Sequence, residues 1–253
     1  TQIQRVGPVS ICAKGLFTDQ DILTDAVLFI YVQNVRPIPC NGANRFARAR
    51  MGRPSQFDCE AAIETVMHDL WRGGFEANSV NAISAKLGIT RSSFYNAFGT
   101  REALFKEALA LYFSRAPDRV FSGPLPDSSI IAWISESFRQ ICAARASDPE
   151  ARGCLAVNSL TELSGVHDEL GAMMRQAVLH SSARLEELLI LAQERGELPE
   201  DAPVHAKALA LQNLLIGINV FAKTLTDEGE LWLTVKTTLE GLGLYKGAPD
   251  AEF

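Results

Sequence analysis

The sequence predicts an all-helical protein, and three observations carry that prediction. From Asp58 onward apolar residues recur at three- and four-residue intervals, helix breakers separate those runs, and strand-like alternation is nearly absent. The first helix is expected from Asp58 to Arg72, with Asp58 as its N-cap. Its apolar face is Ala62, Ile63, Val66, Met67 and Leu70, and Gly73-Gly74 stop it. A short helix from Ser79 to Leu87, a turn at Gly88 and a helix from Thr90 to Asn96 follow. Thr100 then caps a helix running to about Ser114, with Glu102 placed to suit its dipole. Pro117, Gly123, Pro124 and Pro126 mark a linker. Beyond it helices are expected near 128–146, 152–164, 168–195, 203–225 and 228–242, divided by Asp148-Pro149, Gly165, Gly196 to Pro203 and Asp227.

Composition narrows the class. A chain of 253 residues with 47% hydrophobic side chains can bury a sizeable core, and its net charge of -6 argues against a protein that coats nucleic acid indiscriminately. The charge is uneven: residues 1–50 carry +3 (6 basic, 3 acidic), residues 51–115 carry 0 (7 and 7) and the remainder carries -9 (11 and 20). Contact with a polyanion therefore belongs to the N-terminal side. The five cysteines, Cys12, Cys40, Cys59, Cys142 and Cys154, are odd in number and lack CxxC spacing, which suits reduced thiols in a cytoplasm and indicates no metal cage. The early apolar stretch Ala26–Val32 is too short to span a bilayer, and no membrane or secretion address is read. Residues 1–50 lack helical period. They are expected to be a poorly ordered or non-native extension, because Met51-Gly52-Arg53-Pro54 reads like a natural start. Residues 51–115 and 116–253 are then an N-terminal and a larger C-terminal helical domain.

The informative stretch runs from Ser79 to Phe98. Val80, Ile83 and Leu87 share an apolar face, Ser84 is small enough for a close helix approach, and Gly88 suits the left-handed turn between two helices. Ile89 and Phe94 plug the second helix onto the first. Thr90, Arg91, Ser92, Ser93, Tyr95 and Asn96 are left polar and outward at its leading end, where a helix entering the major groove meets bases and phosphates. These features describe a helix-turn-helix for double-stranded operator DNA.

These residues resemble the TetR family of transcriptional regulators. The resemblance lies in Gly74-Phe75, Ser79, Ile83-Ser84, Gly88-Ile89-Thr90, Phe94-Tyr95 with Phe98, and Arg101-Glu102-Ala103-Leu104-Phe105, and it is strong over residues 52–115. Gly153-Cys154-Leu155-Ala156-Val157-Asn158 looks like a segment of one branch. The sequence departs from the family pattern at Ser84, where Ala is usual, at Ala97, where a large residue is common, and at Arg101, where Lys is usual. The resemblance implies phosphate contacts from Ser79, Tyr95, Thr100 and Arg101, and base readout by Arg91, Ser92, Ser93 and Asn96. It implies a three-helix DNA-binding domain at the N-terminus and a C-terminal helical domain for ligand binding and dimerisation, with repression as the outcome.

A single helix-turn-helix binds weakly, so a homodimer through the last two helices is expected. Two stripes are available, Ala208, Leu211, Leu215, Ile218 and Ala222 beside Gly217, and Leu231, Val235, Leu239 and Leu242. Either can instead be ordinary core. The middle helices should enclose a pocket for a small-molecule effector whose binding releases DNA. Trp133, Phe138, Cys142, Cys154, Asn158, Met173 and Phe221 are its candidates, with simple core packing as the alternative for each. Cys154 has a second reading as a redox or electrophile sensor, its thiolate favoured by a helix start and Arg152, against a buried hydrophobe. Catalytic motifs are missing: no Gly-x-Ser-x-Gly, Walker loop or His-Glu-x-x-His occurs, and His68, His167, His180 and His205 stand apart. No enzyme, cofactor or metal is expected. The second rival, a helical scaffold without DNA binding, is separated from a regulator by a gel shift.

Overall fold

The computed structural model describes residues 58–247, so residues 1–50 and the Met51 start lie outside the described residues. The described chain is helical throughout and contains no strand. The helices are α1 (Cys59–Ala77), α2 (Val80–Lys86), α3 (Arg91–Phe98), α4 (Arg101–Arg115), α5 (Ile130–Ala146), α6 (Leu155–Leu163), α7 (Asp168–Glu194), α8 (Val204–Phe221) and α9 (Glu228–Gly241).

Local chemistry sets the boundaries. Asp58, Ser79, Thr90, Thr100, Ser129 and Asp227 each cap a helix by accepting a backbone N–H two or three residues on, an interaction worth about 1 kcal/mol apiece. The helix expected from 152 begins later, at Leu155. Ala151 and Gly153 adopt positive φ (48° and 69°) and hold the preceding turn open. Where a linker was expected, Pro117–Ser122 forms a 3-10 turn that buries Phe121. Pro117 fits its first position, where no N–H is needed.

Two apolar cores hold these helices. The first gathers Val66, Met67, Leu70 and Phe75 of α1 with Phe94 and Phe98 of α3 and Leu104, Phe105 and Leu109 of α4. It does not end with α4, because Leu155, Leu163, Leu170 and Met174 from α6 and the start of α7 pack into it. The second joins Ile134, Phe138 and Ile141 of α5, Leu185 and Leu188 of α7, Leu211 and Leu215 of α8, and Leu231 and Val235 of α9. Helix α7 therefore serves both, its first half under the N-terminal helices and its second half in the distal bundle.

The two stripes offered as dimer candidates form ordinary core, the alternative held open for each. Ala208, Leu211, Leu215, Ile218 and Ala222 of α8 and Leu231, Val235 and Leu239 of α9 are buried inside the protomer, and Leu242 packs on the same core. Exposed instead are Leu209, Asn213, Gly217, Val220 and Phe221, which share one face of α8, and Leu233 of α9. By composition α8 is long and apolar enough to cross a bilayer, and 39% of it is buried inside the protein.

Candidate nucleic-acid interface

Helices α2 and α3 meet at Gly88, whose φ of 64° is the left-handed value a non-glycine residue resists. The turn is closed by the Gly88 N–H to the Ala85 carbonyl (3.2 Å) and the Ile89 N–H to that of Ser84 (3.0 Å). Phe94 and Phe98, both fully buried with ring centroids 5.3 Å apart, fix α3 on the core as expected. Tyr95 meets Phe94 edge-on at 5.5 Å and leaves 47% of its surface exposed. The fixed ring of Phe94 thus orients a phenol that points away from the core.

The predicted contact residues separate into two groups. Arg91, Ser92 and Asn96 are exposed, and among the described residues their side chains make no hydrogen bond or ion pair. With Tyr95 they form one polar ridge along α3. The remaining hydroxyls are structural, with Ser79, Thr90 and Thr100 exposed and Ser93 half-buried: Ser79 Oγ accepts the Ala82 N–H (3.2 Å), and Thr100 Oγ1 accepts the Ala103 N–H (3.0 Å). Thr90 Oγ1 accepts the Ser93 N–H (3.1 Å) and lies 2.9 Å from Ser93 Oγ. Capping uses the oxygen as acceptor and leaves the O–H of Ser79 and Thr100 to donate outward. Arg101 is held back, its guanidinium 3.8 Å above the Phe75 ring and its Nη2 3.3 Å from Glu76. Neither α2 nor α3 has an acidic residue in its first turn, so both N-termini keep the partial positive charge that attracts anions.

The effector candidates are not brought together. Phe138 and Cys142 are fully buried in the distal core, and Trp133 packs on its edge against Phe121. Cys154 and Met173 belong to the other core. Phe221 lies outward at 45% exposure, and Asn158 borders a cleft of about 430 Å³ beneath the N-terminal helices.

The expected thiolate at Cys154 meets the opposite electrostatics. Burial pushes the thiol up and Asp118 adds to that, outweighing Arg145 and a hydrogen bond with Tyr112. Arg152 is turned to Asp148 (3.0 Å) and lies over Trp71, away from that role. Burial likewise pushes Cys142 up to about 12, helped by Glu228.

Sequence reasoning missed a buried polar junction around Arg145. Its Nε donates to Asn219 Oδ1 and its Nη2 to the Tyr112 hydroxyl (3.2 Å), and Asp118 lies 3.6 Å away. It ties α4, the 3-10 turn, α5 and α8. At the end of an amphipathic helix an arginine reads as a solvated C-terminal charge, so no sequence signal pointed inward.

An exposed polar ridge on a helix-turn-helix, set on a helical body, is the architecture of a DNA-binding transcriptional regulator. The chain belongs to the TetR family. The model of bacterial regulatory proteins of the tetR family matches residues 67–108, and the tetracyclin repressor-like C-terminal domain matches residues 134–237. The HTH-type transcriptional repressor ComR of Escherichia coli (strain K12) is 26% identical over 189 residues, spanning 74% of this chain and 90% of ComR. A cysteine mutant of the TetR family regulator CifR, solved with 26-base-pair double-strand operator DNA, is 31% identical with a TM-score of 0.62, covering 75% of this chain and 98% of that one. Reduced NemR of E. coli shares the fold at 19% identity and a TM-score of 0.53, covering 72% and 97% respectively.

Proposed function

We propose that the protein is a homodimeric repressor in which α3 enters the major groove of an operator and a small-molecule effector releases it. The observation that carries this reading is the unpartnered ridge of Arg91, Ser92, Tyr95 and Asn96 on a helix whose N-terminus lacks acidic compensation. Arg91 reads a guanine edge, a contact worth roughly 1–3 kcal/mol of discrimination. Ser92 and Asn96 read neighbouring bases, with Ser93 beside them. Tyr95, Ser79 and Thr100 donate to phosphates, and Thr90 fixes the start of the reading helix. Arg101 reaches phosphate by leaving Glu76, an exposed ion pair that costs little to open.

Two heads one DNA turn apart need a rigid yoke. The open apolar face of α8 and α9, with Leu209, Val220 and Leu233 around Gly217, supports a four-helix contact between two copies. An intracellular, cytoplasmic place of action follows from a DNA partner, and residues 51–115 act as the DNA-binding domain with 116–253 as the effector and dimer domain.

The test is a gel shift against DNA upstream of the protein's own gene, repeated at raised salt. Arg91→Ala should lower affinity by about tenfold or more and relax preference at one base position, whereas Thr100→Ala should weaken all sequences alike. Unchanged affinity in Arg91→Ala and Tyr95→Ala together would overturn the assignment of α3 as the reading helix.

A further inference from the structure

The cleft beneath the N-terminal helices has no part in the reading above. It measures about 430 Å³ and is walled by Trp71, Arg72 and Gly74 of α1, Glu150–Arg152, Asn158, Thr161 and Glu162 of α6, and Lys223 just beyond α8. Three observations give it a chemistry. First, Lys223 has no carboxylate or carbonyl partner, in contrast to Lys86, Lys106, Lys207, Lys236 and Lys246, the other described lysines. Second, the indole N–H of Trp71 is buried in the wall without an acceptor, a state that costs about 1–3 kcal/mol if nothing fills it. Third, the acid most deeply set in the wall is already used: Glu162 accepts the Phe75 and Glu76 N–H groups, both at 2.9 Å. The remaining acid, Glu150, meets Arg72 through two 2.7 Å hydrogen bonds, and both side chains are about half exposed (53% and 41%), so solvent screens the pair and a competing anion can reach the guanidinium.

We infer that this cleft binds a small molecule bearing an oxyanion, a carboxylate or a phosphate, with Lys223 as its counter-ion and Arg72 as its exchangeable second cation. A concave polar site lined by the Arg72 and Lys223 cations accepts such a group with charge-assisted hydrogen bonds. Its position gives binding a consequence. Arg72 also faces Asp69 at 3.5 Å, and Asp69 holds Lys86 at the end of α2. Glu150 belongs to the turn that leads into α6. An anion that takes Arg72 from Glu150 therefore cuts a tie between the reading head and the body, and head orientation is what sets the spacing of paired recognition helices. This second step rests on the effector reading proposed above.

The test uses calorimetry on the full chain with sodium benzoate and, separately, inorganic phosphate, at constant ionic strength. One of the two should bind saturably at a single site, and the responding probe names the group. Lys223→Gln should weaken that binding about tenfold or more, while Lys246→Gln, a surface charge elsewhere, should leave it unchanged. The same probe should lower operator affinity in the wild type and not in Lys223→Gln. Absence of saturable heat from both probes, or equal binding by Lys223→Gln, overturns the site. Binding that depends on Lys223 and leaves operator affinity untouched overturns the link to the head. Operator release by another molecule while the cleft stays empty overturns this inference and upholds the effector reading.

Discussion

Replacing Arg145 by methionine tests whether the polar junction holds the two cores together. The side chain is 3% exposed, so methionine keeps most of its volume and removes its charge and donors. Asp118, 22% exposed and 3.6 Å from the guanidinium, then keeps a buried oxygen with no counter-charge. Removing one partner of a buried pair costs roughly 3–5 kcal/mol. The partial exposure of Asp118 puts this case at the lower end, and the loss of donors to Tyr112 and Asn219 adds about 1 kcal/mol. The sum is about 4 kcal/mol, or roughly 8–16 °C in Tm for a domain of this size. Thermal unfolding by far-UV circular dichroism, at one fixed protein concentration, reads the shift. Arg145→Met with Asp118→Asn should recover part of the loss, because the second change removes the stranded charge. A single variant within about 1 kcal/mol of wild type, or a double variant no better than the single, would refute the reasoning.

Burial favours the neutral acid at Glu197, yet hydrogen bonds from Ser129 and the Ile130 and Ile131 N–H groups, with Lys246 nearby, outweigh it and hold the carboxyl below its ordinary 4.5. Its stabilisation is present above that value and fades as pH falls through the lower folded one. Glu197→Gln should therefore cost about 1–2 kcal/mol at neutral pH and flatten the acid limb of the stability profile. Cys142 and Cys154, both raised by burial, should alkylate with iodoacetamide far more slowly in the folded protein than in urea, as followed by mass spectrometry; equal rates would contradict their burial. Gly88→Ala should cost about 1 kcal/mol, since a Cβ there meets only open space, whereas Gly153→Ala should cost considerably more because its Cβ would fall 2.2 Å from the Asn219 carbonyl; chemical denaturation compares the two. Leu233→Glu should shift the protein to monomer in sedimentation and abolish operator binding, and a dimer that survives it would move the interface elsewhere.

Much of this molecule was written in short-range chemistry. Ser79, Thr90 and Thr100 act on backbone amides three residues away, and Gly88 needs only its own φ, so the helix-turn-helix could be placed within a residue or two without knowing what surrounds it. The exposure of this polar ridge was legible for a related reason: on a helix this short, anchoring Phe94 and Phe98 inward leaves Arg91, Ser92, Tyr95 and Asn96 toward solvent. What could not be read was which of several apolar faces meets which neighbour. Helix α8 is apolar nearly all round, and a 3.6-residue period states that a stripe exists without stating what it touches. Only packing against α7, with α5 and α9 beside it, assigns Leu211 and Leu215 to the interior and leaves Leu209 and Val220 outside. The same holds for Arg145, Cys154 and the Lys223 cleft, whose partners come from segments dozens of residues apart. Long-range burial decides whether a guanidinium is solvated or interior and whether a thiol ionises, and one-dimensional spacing carries no record of it.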